Sequence, residues 1–487
     1  MQGRTPQHKG RCPLHVGRRD FLCSMGMSAL AMKTGLLDFA SELFGAEPAA
    51  AAAAPGKPVV HAVFLHPKTD KYWMGWPGAC YDLKGSRALY TKTLTEAAEK
   101  LGVDLKVHDE PLTNKSLVDT FLAQCKQTPP DGVILTCMSL NSAWGDINNF
   151  VASKGDIPTI VFSPMGTSFT GHLGATRNAA RTFCGATQDV GWLATALRML
   201  KTVWDMKNTR LCILTGNATV DRPLEPLGTT LHYIPRERFP EELKKVQESD
   251  EAKAIAEQLK KEAKSIVEPK AADILNAAEN YVAARRIIEA EKCHGISMDC
   301  LGLVGSRIIP CPPCMAWLKL NDEASVGACE ADWNAAISIR LISLLFGRPG
   351  FMQDPAPNSV NNTLMGAHCS CPTKLDGFDK PGHEPVILRS HSESDIGVSP
   401  QVLWRIGQKV TVMKFEGPGG MIVGTGKVVA NIDTPPSGGC RTSVELAMDG
   451  MADARDSRGF HQLFIYGDLE WPLKAYGQLA GIKVSHI

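Results

Sequence analysis

Two kinds of local pattern along the chain predict its fold class. From Lys57 to about residue 365, short β-branched runs alternate with amphipathic helical stretches. After about Leu375 the helical spacing gives way to strand-length runs separated by Gly and Pro. The first pattern predicts mostly parallel sheets covered on both faces by helices; the second predicts antiparallel strands. The expectation is two Rossmann-like or flavodoxin-like α/β domains, at 57–205 and 206–365, followed by a β-rich, barrel-like C-terminal domain at 366–487. Residues 1–56 read as a separate signal peptide and linker.

In the first domain, VVHAVFLHP from Val59 is a buried-strand run. ALYTKTLTEAAEKLG has helical apolar spacing, VDLKVHDE reads as a strand, and SLVDTFLAQCKQ as a helix. DGVILTCM and DIPTIVFSP add two strands. Ligand loops in such sheets lie at the carboxyl ends of the strands. That singles out HPKTDKYWMGWPG and SPMGTSFTGH, neither of which is a dinucleotide or P-loop fingerprint. A helix from about Asp189 to Thr202 leads to the strand NTRLCILTG. The densely charged stretch from Phe239 to Glu268 is expected to be helical with a solvated face. ADILNAAENYVAARRIIEAEK continues as a helix and CHGISMDC as a strand. In the last domain, VLWRIGQKVTVMKFEG, GMIVGTGKVVANI and RTSVELAMD read as antiparallel strands.

The chain has 487 residues, of which 44% are hydrophobic, enough for two to four domains with a sizeable core. Lys and Arg total 52 against 51 Asp and Glu, so no global charge draws the protein to nucleic acid. No run of eighteen apolar residues suggests an integral membrane segment. At the N-terminus, RRDFLCSMGMSALAMKTGLL places Arg18 and Arg19 before a modest apolar segment, and AEPAAAAAAPG follows. This arrangement resembles a twin-arginine export signal and predicts a periplasmic or otherwise exported protein, with a cytoplasmic protein bearing a disordered leader as the alternative. Of the 15 cysteines, Cys12 and Cys23 lie in this leader. The odd remainder announces no disulfide framework.

Chemistry-bearing residues concentrate in GACEADWNAAISIRLISLLFGRPGFMQDPAPNSVNNTLMGAHCSCP. Glu330 and Asp332 stand at the expected start of an apolar helix, where a carboxylate is welcome without any further function. Asp354 precedes Pro355, a common turn position, and His368 follows the strand-like TLMG. An acid at one end of a helix, an acid past the other end and a histidine beyond can face one cleft and hold a divalent cation such as Mn²⁺.

CEADW, FMQD and MGAH, with the C-terminal GFHQLFIYGDLEWPLKAYGQLAGIKVSHI, resemble the L-fucose isomerase and L-arabinose isomerase superfamily. That resemblance implies a Mn²⁺-dependent isomerase of a deoxy sugar or pentose, working through an enediolate as a homo-oligomer. Glu330 would be a metal ligand and catalytic acid/base, Asp354 a second ligand assisting proton transfer, and His461 the C-terminal ligand. His368 would be a ligand or a sugar-binding residue. The arabinose-type alignment puts the second acid at Gln353; the fucose-type spacing selects Asp354, and only the carboxyl can carry a proton. Two alternatives accompany this reading: a metal-dependent epimerase, dehydratase or lyase on a modified sugar, and a non-catalytic sugar-binding protein. Trp333, Trp76, Asp299, Arg389 and His391 are the candidate substrate-binding residues. Cys311-Pro-Pro-Cys314 is a short CxxC with packing, zinc and redox readings open.

Overall fold

The computed structural model describes residues 56–68, 71–72, 81–140, 143–433 and 439–487. The expected export signal and Trp76 lie outside them. The first sheet holds five parallel strands in the order Asp104–Val107, Val59–Leu65, Gly132–Cys137, Thr159–Pro164 and Thr182–Thr187. This is the flavodoxin-like strand order. Gly132–Cys137 and Thr159–Pro164 are buried along their whole length, which is why they read as unbroken apolar runs rather than alternating ones. The first helix, Leu83–Leu101, begins earlier than its apolar spacing suggests, because Asp82 caps it through the Gly85 N–H at 2.9 Å.

The second sheet runs Val326–Cys329, Gly295–Met298, Arg210–Leu214, Thr229–Ile234 and Val220–Leu224. Its first four strands are parallel and the last is an antiparallel edge. That edge strand, VDRPL, carries Pro223 and is largely exposed, the composition of a protected edge rather than of a recognisable strand. The charged stretch after Phe239 forms two helices, Arg238–Val246 and Asp250–Glu262, separated where Ser249 caps the second. Phe239, Leu243 and Val246 are buried on the inner face of the first.

Six antiparallel strands then close into a barrel. Going round it, Lys409–Phe415 pairs with Gln462–Tyr466, then Phe351–Asn358, Thr363–His368, Thr442–Met448 and Gly420–Asn431, which returns to Lys409–Phe415. Closure leaves no open edge among these strands. Two of them, Phe351–Asn358 and Thr363–His368, precede most of the C-terminal sequence, and FMQDPAPN with its two prolines does not read as a strand. Lys483–His486 adds in parallel to Gly420–Asn431. The helix Trp333–Phe346 is buried continuously from Ala335 to Phe346 and packs against both the second sheet and the barrel strand Lys409–Phe415. No helix among the described residues is long and apolar enough to cross a membrane.

Gly295 begins the strand beside Val326. A Cβ there would meet the Val326 Cβ at 2.3 Å and its backbone at 2.7 Å, so Gly295→Ala is expected to destabilise the fold by about 1–3 kcal/mol. Gly145, in an exposed position of the helix Trp144–Ser153, has nothing within 4 Å of such an atom, and Gly145→Ala is expected to stabilise by about 0.5–1 kcal/mol. Denaturant unfolding of both variants checks the contrast; equal effects would show that the contact at Gly295 relaxes freely.

Candidate metal centre

The edge strand Val326–Cys329 delivers Glu330 at its carboxyl end. Glu330 does not open the helix. It and Ala331 both adopt left-handed backbone angles, φ 59° and 53°, and the turn they make places Asp332 as the N-cap. Asp332 Oδ1 accepts the Ala335 N–H at 3.0 Å. Its second oxygen, Oδ2, accepts from His461 Nδ1 at 2.9 Å and from Lys414 Nζ at 3.2 Å. His461, just before the strand Gln462–Tyr466, also has a positive φ of 54°. Such angles on side-chain-bearing residues cost about 1–3 kcal/mol each and persist where surrounding structure enforces them.

The barrel register supplies the second acid. Gln353 pairs with Gln462 in antiparallel register, so the next position sets Asp354 opposite His461. Gln353 is fully buried and bonds Gln462 at 3.2 Å; Asp354, one residue on, faces the other way. Its Oδ1 lies 3.2 Å from His461 Nε2, and Glu330 Oε2 lies 3.5 Å from the same nitrogen. Asp354 therefore sits within a strand rather than at a turn. One donor atom each from Glu330, His368 and His461 lies within 4.8 Å of the others. A second cluster with the same property, Cys314, Cys369 and His391, is fully buried.

Charge in this centre is tightly balanced. Burial works against a charged His461, yet its hydrogen bond to Asp332, with the nearby Glu330 and Asp354 carboxylates, raises it to about 9. The neighbouring His461 imidazole in turn holds Glu330 below the usual glutamate range. Asp332 falls to about 2 despite burial, through His461 and Lys414. Burial pushes Asp354 up to about 6, against the pull of His461. Burial, aided by the His461 charge, drives His368 down to about 3, so its imidazole is neutral. The Cys369 N–H donates to His368 Nδ1 at 2.9 Å, which puts the ring proton on Nε2 and makes that nitrogen a donor.

The donors fit a divalent cation. His461 Nε2 and Asp354 Oδ1 are both buried and, though close, are not aligned in a hydrogen bond with each other or with any described residue. Unsatisfied buried polar atoms of this kind are rare unless something else binds them. With His461 Nδ1–H held on Asp332, it is Nε2 that gives up its proton and offers a lone pair to a cation, the carboxylate–histidine arrangement common behind metal ligands. Two carboxylates and one imidazole suit Mn²⁺ or another hard divalent ion.

The remaining candidates lie elsewhere or have other partners. Trp333 is the first residue of its helix and is partly buried against the core. Asp299 bonds Arg236 at 3.0 Å. Arg389 is clamped by Glu268 through contacts of 2.8 and 2.9 Å. His391 belongs to the sulfur cluster. Asp332 and Lys414 were legible only as a helix cap and a strand lysine; the signal for Lys414 is a lysine inside the otherwise apolar VTVMKF run that ends up 8% exposed.

No family model and no curated protein matches the chain. Among solved structures, it is similar to a sugar-binding protein of a sugar ABC transporter from Bacillus halodurans, at 15% identity over 62% of this chain and 91% of that one, TM-score 0.17. A glucose-galactose binding protein, GanP, from Geobacillus stearothermophilus matches at 16% identity over 60% and 93%, TM-score 0.18. A carbohydrate transporter from Acidothermus cellulolyticus in complex with myo-inositol matches at 13% over 60% and 89%, TM-score 0.18. These matches are to sugar-binding and transport proteins. The motif likeness to the fucose and arabinose isomerases has no support from any family model or curated relative, and that assignment, with the isomerase activity, is withdrawn. The motifs that suggested it also have local explanations: Asp332 is a helix cap, and FMQD and MGAH are adjacent barrel strands.

Asp332→Asn keeps an oxygen for the Ala335 N–H but turns an amide toward His461. Metal affinity is expected to fall 10–100-fold while far-UV circular dichroism stays unchanged. Calorimetric Mn²⁺ titration of both proteins checks this; equal affinity would separate Asp332 from the centre.

Proposed function

We propose that this chain is a non-catalytic carbohydrate-binding protein that grips its ligand through a divalent cation held by Glu330, Asp354 and His461. The observation that carries the reading is the convergence of the two carboxylates on the buried, unpartnered Nε2 of His461. A cation bound there supplies electrostatic attraction for ligand oxygens, and the vicinal hydroxyls of a sugar or polyol offer two at adjacent positions. His461 gives up its Nε2 proton on metal binding, while Asp332 keeps the ring oriented. His368, neutral and protonated on Nε2, donates a hydrogen bond to a ligand oxygen. Trp333, at the start of the helix behind Glu330, offers an apolar face to the sugar ring.

The test is calorimetric titration of a panel of L- and D-sugars into Mn²⁺-loaded and chelator-stripped protein, with NMR of the recovered sugar in D₂O. Expected are binding that depends on Mn²⁺, weakening of at least about tenfold in Glu330→Gln, and sugar recovered unchanged. Binding indifferent to the chelator, or deuterium entering a C–H bond of the sugar, overturns the reading. The proposal places the protein outside the cytoplasm. Replacing Arg18 and Arg19 by Lys is expected to retain the precursor inside the cell, as fractionation shows, and undiminished export would reject the twin-arginine assignment.

A further inference from the structure

One helix and the strands of two different sheets bring soft donors together away from the carboxylates. Cys314 is the first residue of the helix Cys314–Asp322. Cys369 follows the barrel strand Thr363–His368, and His391 follows the strand Val386–Arg389 of a small three-stranded sheet. All three side chains are buried, and one donor atom from each lies within 4.8 Å of the others. The Cys314 and Cys369 sulfurs are 3.2 Å apart, and Cys440 makes a further thiol contact to Cys369.

We propose that Cys314, Cys369 and His391, with Cys440 as a fourth donor, form a second metal site, of thiolate and imidazole chemistry, suited to Zn²⁺ and distinct from the Glu330 centre. Cysteine and histidine are the ligands zinc takes in closed structural sites, whereas the carboxylate-rich Glu330 set suits a harder ion. Two thiolates on a tetrahedral zinc with bonds of about 2.3 Å sit about 3.7 Å apart. A disulfide needs about 2.05 Å. The observed separation is nearer the first, and a disulfide would leave the buried His391 and the half-buried Cys440 without a role. His391 Nδ1 lies 2.9 Å from Ser394 Oγ, which can accept the ring proton and leave Nε2 its lone pair. A longer contact from the Ser394 N–H, 3.3 Å, gives way when Nδ1 is protonated. Cys311, the other half of the CxxC, is directed elsewhere: its sulfur accepts the Val398 N–H at 3.3 Å. The CxxC is thus split between a packing residue and a ligand. Because Cys369 N–H also holds His368 Nδ1, metal on the Cys369 sulfur would anchor the strand end that presents His368 to the other centre.

Co²⁺ added to metal-stripped full-length protein is the probe, because cobalt–thiolate coordination gives intense charge-transfer absorption that carboxylate and imidazole ligands do not. The expected result is thiolate-to-cobalt absorption in the wild type and in Glu330→Gln, and its loss in Cys314→Ser/Cys369→Ser with one cobalt equivalent retained. Should the double variant fail to fold, alkylation of the native wild type decides. Cys314 and Cys369 are expected to resist N-ethylmaleimide with Zn²⁺ bound and to be modified, by mass mapping, once a chelator removes it. Absence of the thiolate absorption in the wild type overturns the site. So do its persistence in the double serine variant, chelator-independent alkylation, or a Cys314–Cys369 disulfide peptide. Loss of sugar binding in Glu330→Gln leaves this site untouched, so the two proposals fail separately.

Discussion

The hydrogen bond from His461 Nδ1 to Asp332 Oδ2, 2.9 Å long, joins the parts of the molecule on which the candidate centre depends. Asp332 ends the turn that leaves the second sheet, and it begins the helix that runs buried beside the barrel. His461 introduces a barrel strand. Lys414, from a second barrel strand, bonds both Asp332 and the carbonyl of Phe460. One carboxylate thereby sets the helix start, orients the imidazole and neutralises a buried lysine. Losing one partner of such a network costs more than the isolated bond is worth, because the others remain buried and unpaired. The left-handed angles at Glu330, Ala331 and His461 are the local strain that this network sustains.

Much of the α/β portion was legible in the sequence because local signals agree with the fold. Val59–Leu65, Gly132–Cys137, Thr159–Pro164 and Arg210–Leu214 are buried, β-branched and short, and the helices between them carry clear apolar spacing. Val220–Leu224 escaped because an exposed edge strand needs little apolar character. Phe351–Asn358 escaped because its two prolines sit where the ladder tolerates them. The site was legible as residue types but not as geometry. Asp354 and His461 face each other through a register spanning over a hundred residues, and no local pattern encodes that pairing. The same applies to Lys414, whose partner Asp332 is distant in sequence.

The withdrawn family resemblance marks how far short motifs carry. CEADW couples a strained turn to a helix cap, and FMQD and MGAH lie on neighbouring strands whose register sets Asp354 beside Ala367. Each motif is what a strand–turn–helix junction or a barrel rim requires. A collection of acids and histidines on such a frame specifies a binding chemistry, but fold and ligand set do not by themselves specify a reaction. The charge distribution shows the same thing. With Asp332 hydrogen-bonded to its Nδ1, His461 is held oriented among the carboxylates of Glu330 and Asp354, an arrangement that organises a charged ligand site whether or not a bond is ever broken there.

Two adjacent residues, His368 and Cys369, divide the chemistry of the molecule. His368 is turned toward Glu330 and His461, whereas the Cys369 sulfur is turned toward Cys314 and His391. The side-chain alternation of an extended chain sends successive residues to opposite sides, and here it separates oxygen donors from sulfur donors. Such a separation lets each set discriminate among metals by ligand softness rather than compete for the same ion. The backbone bond between Cys369 N–H and His368 Nδ1 crosses that boundary. With Ser370 Oγ 3.1 Å from the same nitrogen, it holds the His368 ring in the orientation that turns Nε2 toward the carboxylate side.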